Sequence, residues 1–399
     1  MADDDEDDEE EPPQLVMEVE RSSYDYSLRS STAPTKVIPV TILTGFLGAG
    51  KSMLLNHILR NSGGMRIAVI ENEFSSGLGI EGMIVKNGID GSNIDNFFEL
   101  NNGCICCTVK DSLVSTLEQL ALHRDRFEYI LIETTGLANP GKIINIFWTD
   151  EALGSVLRLD GVVTVVDALN VARYMAESDT SADFSSQIAY ADRLVINKCD
   201  LVTEAQLREV ENIVKSINSY AEISTSSFSK VEPSWLLHTE SFSGYRFESV
   251  ASKLESLFTK LDSEFCSPCV PPSSQAHIPH SADSLRTWGF QIEGVFEKTL
   301  LSRFLDDILY SNGESMKKES INMQIFRIKG IVYLSGENYV HIVQAVHELF
   351  EFSASELPAA IPVNQLGAER RPPMNKIIVI GRNIEKNILE KGLRGALSQ

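Results

Sequence analysis

Residues 45–52 of this 399-residue chain are rich in glycine and have the spacing of a phosphate-binding loop: Gly, four residues, Gly, Lys, Ser. In such a loop the backbone N–H groups surround a phosphate, which the N-terminus of the following helix also favours. Lys51 would contact the β and γ phosphates, and Ser52 would ligate Mg²⁺. We therefore predict a nucleotide site formed by Gly45, Phe46, Leu47, Gly48, Ala49, Gly50, Lys51 and Ser52.

A second motif, Asn197-Lys198-Cys199-Asp200, has the Asn-Lys-x-Asp pattern of a guanine-reading loop. An ionised carboxylate only accepts hydrogen bonds, so Asp200 can accept from both N1–H and the N2 amine of guanine. Adenine offers no matching pair of donors. Because the motif follows a predicted strand in the same half of the chain as the phosphate-binding loop, it predicts GTP rather than ATP as the ligand.

Two glutamates stand at the ends of predicted strands near these motifs. Glu133 opens the sequence Glu-Thr-Thr-Gly at residues 133–136, and Glu73 ends the neighbouring strand. Nucleotide hydrolases place acidic groups there to hold Mg²⁺ or to orient the attacking water, and Gly136 permits a loop that moves with the γ-phosphate. The sequence does not divide the two roles between Glu73 and Glu133, and either carboxylate could instead cap a helix.

Three cysteines lie within four residues: Cys104, Cys106 and Cys107. Thiols this close can bind one soft cation, which lowers their pKa and holds them as thiolates. Zn²⁺ prefers four ligands, so three sulfurs leave one position open, which suits a transferable metal better than a structural one. The alternatives are a buried cluster of small residues and a redox-active thiol pair, but the sequence favours a metal site.

A further Cys-x₂-Cys-x₇-His-x₂-His run comprises Cys266, Cys269, His277 and His280. The ligand types suit zinc, but the spacing is shorter than that of the usual zinc finger. We therefore favour ordinary surface positions over a second metal site here.

The elements that would position these motifs alternate between strand and helix from residue 37 to about residue 235. Strands are predicted at 37–43, 66–70, 127–132, 161–166, 193–196 and 221–225, and helices at 53–60, 108–122 and 203–218. The stretch from residue 75 to about residue 95 is interpreted as a loop. Such alternation predicts a mostly parallel sheet covered by helices, with ligands at the carboxyl ends of the strands.

The fold class is therefore predicted as α/β, with a P-loop GTPase domain over 36–238 and a smaller α+β domain over 284–397. A linker at 239–283 would join them and would contain a helix near 247–261. In the second domain, strands are predicted at 287–295, 323–334, 338–352 and 376–380, and helices at 298–311 and 383–393. No pattern within 284–397 is typical of catalysis.

The charge of the chain excludes several kinds of partner. The net charge is −21, and nine consecutive acidic residues occupy 3–11. This balance argues against binding to nucleic acid or to anionic membranes, and no stretch is long and apolar enough to span a bilayer. We expect a disordered tail over 1–35 and a cytoplasmic protein, with the nucleus open as a second location. Its six cysteines would then be reduced.

Five motifs, in the order in which they occur, resemble those of the CobW-type GTPases, which are relatives of the urease and hydrogenase nickel-insertion GTPases. They are GFLGAGKS at 45–52, ENEF at 71–74, CICC at 104–107, ETTG at 133–136 and NKCD at 197–200. The resemblance covers about 36–397 and includes RIKG at 327–330 and IGRN at 380–383 in a CobW-like C-terminal domain. The chain is most similar to the eukaryotic branch, the zinc-regulated GTPase metalloprotein activators.

The resemblance also implies roles for individual residues. In that family the thiolates of the Cys-x-Cys-Cys motif form the zinc site. The residues that begin with its last cysteine approach the nucleotide; in this chain they are Cys107, Thr108, Val109 and Lys110. Residues Pro13-Gln14-Leu15-Val16 resemble the Pro-x-Leu-Val motif that docks onto the zinc finger of type 1 methionine aminopeptidase.

These observations together predict a GTP-hydrolysing zinc metallochaperone that uses GTP, Mg²⁺ and Zn²⁺. Its client would be a metalloprotein, with type 1 methionine aminopeptidase as the one that the docking motif indicates. One alternative is a zinc sensor or store that GTP switches and that has no dedicated client. Another is a GTP-dependent assembly factor that acts through its C-terminal domain and in which the cysteines are structural.

Overall fold

Apolar, mostly β-branched runs in the first half of the chain form a sheet covered on both faces, as their composition requires. Our computed structural model describes residues 37–71, 84–87, 109–243, 247–265, 285–310, 323–358 and 372–398. The strands of this first sheet are β1 (Ile38–Gly45), β2 (Ile67–Glu71), β3 (Ile84–Asn87), β4 (Tyr129–Glu133), β5 (Leu157–Asp167), β6 (Arg193–Asn197) and β7 (Glu222–Thr225).

The first sheet has the strand order β3-β2-β4-β1-β5-β6-β7. All of its neighbouring pairs are parallel except β2 with β3, so the prediction of a mostly parallel sheet is confirmed. Strand β3 lies inside the stretch interpreted as a loop, and that interpretation was wrong for its four residues. Its sequence, Ile-Val-Lys-Asn, is too short to show a period, and it forms a strand by pairing with the edge of β2.

Helices cover both faces of the first sheet. They are α1 (Lys51–Asn61), α2 (Val109–Leu122), α3 (Pro140–Thr149), α4 (Glu151–Gly154), α5 (Val171–Ala176), α6 (Ser178–Tyr190), α7 (Glu204–Ile217) and α8 (Pro233–Leu236). A further helix, α9 (Phe247–Phe265), belongs to a separate buried cluster. Side chains alternate along β1, so Ile42 belongs to one buried cluster and Leu43 to the other. Within the described ranges, no helix is long and apolar enough to cross a bilayer.

A second sheet, entirely antiparallel, follows in the last third of the chain. Its strands are β8 (Arg286–Glu293), β9 (Gln324–Val332), β10 (Tyr339–Val346), β11 (Leu349–Pro358) and β12 (Met374–Arg382), in the order β11-β10-β9-β12-β8. The strand predicted at 338–352 is thus a hairpin of two strands. Helices α10 (Lys298–Leu309) and α11 (Lys386–Gly395) cover one face, with Leu305 and Leu389 in its buried cluster.

The opposite face of the second sheet contacts both α9 and the first half of the chain. Leu254 and Phe258 of α9, a helix inside the predicted linker, are buried with Ile331 and Ile342. Phe326 of β9 and Ile380 of β12 share a buried cluster with helices of the first half. The two sheets therefore belong to one packed body, which agrees with the compact unit formed by residues 36–399.

Candidate nucleotide-binding site

The predicted phosphate-binding loop connects β1 to α1. Its backbone has positive φ at Gly45 and Gly50, with values of 139° and 109°. A Cβ atom at Gly45 would overlap the backbone of Val165 in β5, and one at Gly50 would overlap the side chain of Asn197. Both positions therefore require glycine, for the backbone conformation and for the close approach of neighbouring strands.

Lys51 begins α1 and lies inside the curve of the loop. Its Nζ donates hydrogen bonds to the carbonyl oxygen of Gly45 at 2.8 Å and to that of Phe46 at 3.3 Å. Burial lowers the pKa of Lys51, and the nearby Glu133 carboxylate opposes that shift. The ammonium group is thus held where the loop would surround a phosphate, with little water around it.

Ser52 and Glu133, which were predicted from separate motifs, are in direct contact. The Ser52 hydroxyl donates a hydrogen bond of 2.8 Å to Oε1 of Glu133, whose side chain is buried at the end of β4. Hydroxyl and carboxylate oxygens are the ligand types that Mg²⁺ prefers. The donor set beside the phosphate-binding loop therefore fits a magnesium ion.

The loop after β4 packs directly against the phosphate-binding loop. The Thr134 amide donates to the carbonyl oxygen of Leu43 at 2.9 Å, and the Thr134 hydroxyl donates to the hydroxyl oxygen of Thr44 at 2.9 Å. A Cβ atom at Gly136 would lie 2.6 Å from the backbone nitrogen of Leu47. Glycine at 136 thus lets the two loops touch, a reason that the sequence did not reveal.

The predicted guanine-reading motif follows β6, and its members have different surroundings. Asn197 is 2% exposed, and its Nδ2 donates to the carbonyl oxygen of Ala49 at 2.9 Å. Lys198 has a left-handed backbone with φ of 63°, and its Nζ donates to Oδ2 of Asp167 at 2.8 Å. Asp200 is exposed. Asn197 therefore holds the phosphate-binding loop, whereas the Asp200 carboxylate remains accessible for a base.

A loop at residues 226–230 also belongs to this site, and sequence reasoning missed it. The Ser229 amide donates to Oδ1 of Asn197 at 2.8 Å, and the Ser229 hydroxyl donates to the carbonyl oxygen of Gly50 at 3.1 Å. The Cys199 amide donates to the carbonyl oxygen of Ser226 at 3.1 Å. The sequence could have indicated this loop by its position, because it follows the carboxyl end of the last strand, β7, at the same edge of the sheet as the other loops of the site.

Several residues of the predicted site lie outside the described ranges. They are Glu73, Cys104, Cys106, Cys107 and Thr108, the run of Cys266, Cys269, His277 and His280, and the docking motif Pro13-Gln14-Leu15-Val16. Val109 and Lys110 begin α2. Among the residues that are described, no group of three or more His, Cys, Asp or Glu side chains could hold a metal ion.

Cys199 is the one cysteine in the described part of the chain. Burial raises the pKa of its thiol, and the S–H group donates to the carbonyl oxygen of Ile196 at 3.2 Å. A protonated, internally bonded thiol is a poor metal ligand. Cys199, predicted as a nucleotide-binding position of the guanine-reading motif, therefore lies in that motif as an internally bonded thiol.

Comparison with known proteins gives the same picture over most of the chain. Residues 39–225 match the family model of the CobW/HypB/UreG nucleotide-binding domain, and residues 285–397 match that of the cobalamin synthesis protein cobW C-terminal domain. The family predicted from the five motifs is thereby confirmed.

Individual relatives match over nearly their whole length. The chain is 34% identical over 370 residues to zinc-regulated GTPase metalloprotein activator 1 of Schizosaccharomyces pombe, which covers 91% of this chain and 86% of the relative. It is 35% identical over 317 residues to the zinc chaperone YjiA of Escherichia coli, covering 78% and 87%. The crystal structure of Zn(II)-bound YjiA GTPase from E. coli superposes with a TM-score of 0.60 and 25% identity, over 91% of this chain and 100% of that one.

Proposed function

The chain belongs to the CobW/HypB/UreG family of nucleotide-binding proteins, and we propose from this that it is a GTP-hydrolysing zinc metallochaperone. The observation that carries the proposal is the contact of Ser52 with Glu133, 2.8 Å long, beside the buried ammonium group of Lys51. It joins the phosphate-binding loop to an acidic strand end, the combination that hydrolysis of a nucleoside triphosphate requires. The names of the relatives support the zinc-dependent part of the proposal.

Hydrolysis would depend on positioning and charge more than on covalent chemistry by the protein. The backbone N–H groups of 45–52 and the Lys51 ammonium would bind the β and γ phosphates and stabilise the charge that develops on them. Ser52 would hold Mg²⁺, with Glu133 orienting the serine hydroxyl. When bound, the ion neutralises phosphate charge.

Selection of guanine would rest on Asp200. Its exposed carboxylate can accept two hydrogen bonds from guanine and none from the matching edge of adenine. Asn197 and the 226–230 loop support this side of the site by holding the reading motif against the phosphate-binding loop. Base recognition and phosphate binding are thereby joined in one rigid frame.

Zinc would be the cargo of the protein. We infer that Cys104, Cys106 and Cys107 bind it as thiolates and leave one coordination position open for an incoming ligand of the client. The resemblance to the family implies that the residues from Cys107 to Lys110 approach the nucleotide, and Cys107 is also one of the three thiolates. A change of nucleotide could then alter the sulfur–zinc geometry and release the ion.

The client that we propose is type 1 methionine aminopeptidase, recognised through Pro13-Gln14-Leu15-Val16. The likeness of these residues to a Pro-x-Leu-Val docking motif supports this, and so does the description of a relative as a metalloprotein activator. An extended apolar peptide in an acidic tail can bind by side-chain pockets and backbone hydrogen bonds.

The decisive experiment mixes the zinc-loaded protein with the apo-aminopeptidase in the presence of a zinc chelator that buffers the free ion. Aminopeptidase activity is followed with GTP, with GDP and with a non-hydrolysable GTP analogue. We expect activation with GTP that exceeds the activation given by the same buffered zinc alone. Replacing Cys104, Cys106 and Cys107 by serine should abolish it, whereas the matched pair Cys266→Ser and Cys269→Ser should not.

Two results would change the proposal. Activation no faster than that by buffered zinc, from a protein that binds zinc and hydrolyses GTP, would favour the zinc sensor or store. Full activation by a protein lacking residues 1–20, at limiting concentration, would remove the docking role of the tail while leaving zinc transfer intact.

A further inference from the structure

Gln187 is a buried glutamine of α6 that contacts the loop after β4. It is 1% exposed, and its Nε2 donates to the carbonyl oxygen of Gly136 at 2.9 Å and to that of Ala138 at 3.2 Å. Its own backbone carbonyl accepts a hydrogen bond of 2.8 Å from the hydroxyl of Thr164 in β5. Helix α6 is therefore fixed to the sheet on one side and holds the 136–138 loop through one side chain on the other.

The amide of Gln187 is satisfied at one end only. Two carbonyl acceptors require its NH₂ group to face the loop, because the reverse orientation would set oxygen against oxygen. Its Oε1 is then buried, and it has no hydrogen-bond partner among the residues that the structure describes. A buried carbonyl without a partner is uncommon in folded proteins. Among the described residues, Gln187 therefore holds the 136–138 loop through the donor end of its amide alone.

The last turn of α6 contacts the second sheet. The carbonyl oxygen of Tyr190 accepts a hydrogen bond of 2.6 Å from Nη1 of Arg327 in β9, and Arg327 also forms an ion pair with Asp192. The side chains of Arg327 and Asp192 are only 2% and 3% exposed. The ring of Phe326 meets that of Tyr190 edge to face at 5.7 Å. A displacement of this turn would therefore act directly on β9.

The ring of Tyr190 lies against the chain that follows the loop. A Cβ atom at Gly141, in the first turn of α3, would lie 2.7 Å from the Tyr190 hydroxyl oxygen. That turn is capped by Asn139, whose Oδ1 accepts from the Gly141 amide at 2.9 Å. The segment 136–141 and the second sheet thus contact the same four-residue stretch of α6, from Gln187 to Tyr190.

We propose that Gln187 is a positioning residue for GTP hydrolysis and that the last turn of α6 links the 136–138 loop to β9. In nucleotide hydrolases the loop after this strand moves with the γ-phosphate, and packed elements move between discrete arrangements. Gln187 would carry the loop displacement to α6, and the buried Arg327 would carry it to the second sheet. The inference rests on the GTPase activity of the protein and not on zinc transfer.

The test compares the nucleotide response of β9 in matched variants of the full chain. Hydrogen exchange of peptides covering 133–141 and 324–332 is measured with GDP and with a non-hydrolysable GTP analogue. In the natural protein both peptides should change with the nucleotide. In Gln187→Met the change at 324–332 should fall by roughly 3- to 30-fold, and kcat should fall by a similar factor with KM within about twofold.

Thr164→Val is the matched control, since it loosens α6 from β5 without touching the loop. It should lower the melting temperature while leaving the nucleotide response of β9 in place. Arg327→Lys is the second variant. Lysine keeps the charge opposite Asp192 but cannot bind both Asp192 and the Tyr190 carbonyl oxygen as the guanidinium group does. It should preserve the response at 133–141 and reduce the response at 324–332.

Two outcomes would overturn the proposal. One is a natural protein whose 324–332 peptide exchanges equally with both nucleotides. The other is a folded Gln187→Met protein with unchanged kcat and an unchanged response. Because the exchange measurement needs only nucleotide binding, a protein that fails in zinc transfer leaves this test intact, and the two failures can be told apart.

Discussion

The two ends of the parallel sheet use buried polar groups in opposite ways. Toward the amino-terminal ends of the strands, Asp160 and Asp192 are at most 3% exposed and accept hydrogen bonds from several protein donors. At the carboxyl ends of the strands, Lys51 donates to carbonyl oxygens of the phosphate-binding loop, Glu133 accepts from Ser52, and Asp200 is exposed. The first group has its hydrogen-bonding capacity filled by the protein itself, whereas the second retains capacity for a ligand.

Near the amino-terminal ends of the strands, both carboxylate oxygens of Asp160 accept hydrogen bonds from the protein itself. Its Oδ2 accepts from the Tyr129 hydroxyl at 2.6 Å and from the Thr239 amide at 2.8 Å, and its Oδ1 accepts from the Glu240 amide at 2.8 Å. The carboxylate thereby fixes the chain at the point where it leaves the first sheet. Asp192 has the same role for the second sheet, through Arg327 and the Val162 amide. Near the amino-terminal ends of the strands, these two buried carboxylates therefore have a structural role, because each connects the first sheet to another segment of the chain.

The largest expected effect comes from breaking the joint at Asp192. Arg327→Met leaves a buried carboxylate without its cation, and we expect the free energy of unfolding to fall by about 3–5 kcal/mol. Nucleotide affinity, measured by titration at a temperature where the variant is folded, should stay within about twofold. Denaturant unfolding followed by circular dichroism gives the stability.

The control for this variant removes the second charge as well. Asp192→Asn retains an acceptor for the Val162 amide, so the double variant Asp192→Asn with Arg327→Met should be more stable than Arg327→Met alone. A double variant that is less stable than the single one would show that the Asp192 carboxylate stabilises the fold even without Arg327, through its contact with the Val162 amide.

At the carboxyl ends of the strands we expect the opposite result: Lys51→Ala should lower activity strongly and change stability little. Loss of the cation that stabilises the transferred phosphate should lower kcat for GTP by about 10²- to 10³-fold. Burial already lowers the pKa of Lys51, so its removal should change the free energy of unfolding by less than about 1 kcal/mol. Phosphate release under saturating GTP measures the first quantity and thermal unfolding the second.

Lys215→Ala is the comparison for that variant, because Lys215 lies on α7 and pairs with Glu211 in the same helix. It should leave kcat unchanged and lower the free energy of unfolding by at most about 0.5 kcal/mol.

Zinc binding by nucleotide-free Lys51→Ala should remain stoichiometric, since the proposed zinc thiolates lie on another part of the chain. Loss of zinc from the folded variant would contradict the separation of the two sites.

The groups at the carboxyl ends of the strands were largely predictable from the sequence. Those at the amino-terminal ends of the strands were not. The loop at 45–52 and the motif at 197–200 are contiguous, and their function depends on backbone geometry that local residue types determine. Asp160, Asp192 and Arg327 acquire their roles from residues far away in the chain, at separations that no local pattern reports. The loop at 226–230 and Gln187 were missed for the same reason.

The fold was predictable wherever an element is long enough to show a period. The strands of the parallel sheet follow buried apolar runs, and α7 and α10 follow the helical spacing of their buried residues. The pattern at 338–352 did not reveal its hairpin, since the turn before Leu349 contains His347 with φ of 57° instead of a glycine. Strand β3 has only four residues and depends on pairing with β2.

A smaller effect is expected at Asp200, the residue that we propose to bind the guanine base. Asp200→Asn should weaken GTP binding by about 10- to 150-fold, because hydrogen bonds to a charged acceptor are worth roughly 1.5–3 kcal/mol. ATP binding should change little, so the preference for GTP should disappear. Competition with a fluorescent nucleotide measures both affinities, and equal affinities for GTP and ATP in the natural protein would contradict the role of this residue.

The smallest expected effect is a change of the free energy of unfolding with pH, caused by Lys329 near the amino-terminal ends of the strands. Lys329 of β9 is 2% exposed, donates to the Ser241 carbonyl oxygen, and lies over the rings of Tyr220 and Phe242. Burial lowers the pKa of Lys329 to about 7 from its usual value of 10.5, while the Asp192 carboxylate opposes this shift. Above pH 7 the folded protein therefore holds Lys329 neutral, whereas the unfolded chain still binds the proton up to about pH 10.5.

Since the unfolded state binds more protons between these two pH values, this residue makes stability rise with pH across that window, by about 1 kcal/mol per pH unit. Below pH 7 both states are charged and the contribution to the slope vanishes. Lys329→Met removes the proton and keeps the apolar volume, so the difference in unfolding free energy between the natural protein and Lys329→Met should grow in favour of the natural protein from pH 7.5 to 9. A difference that is constant over this range would show that Lys329 stays charged against the two rings, and that the joint between the sheets contains two buried cations balanced by Asp192.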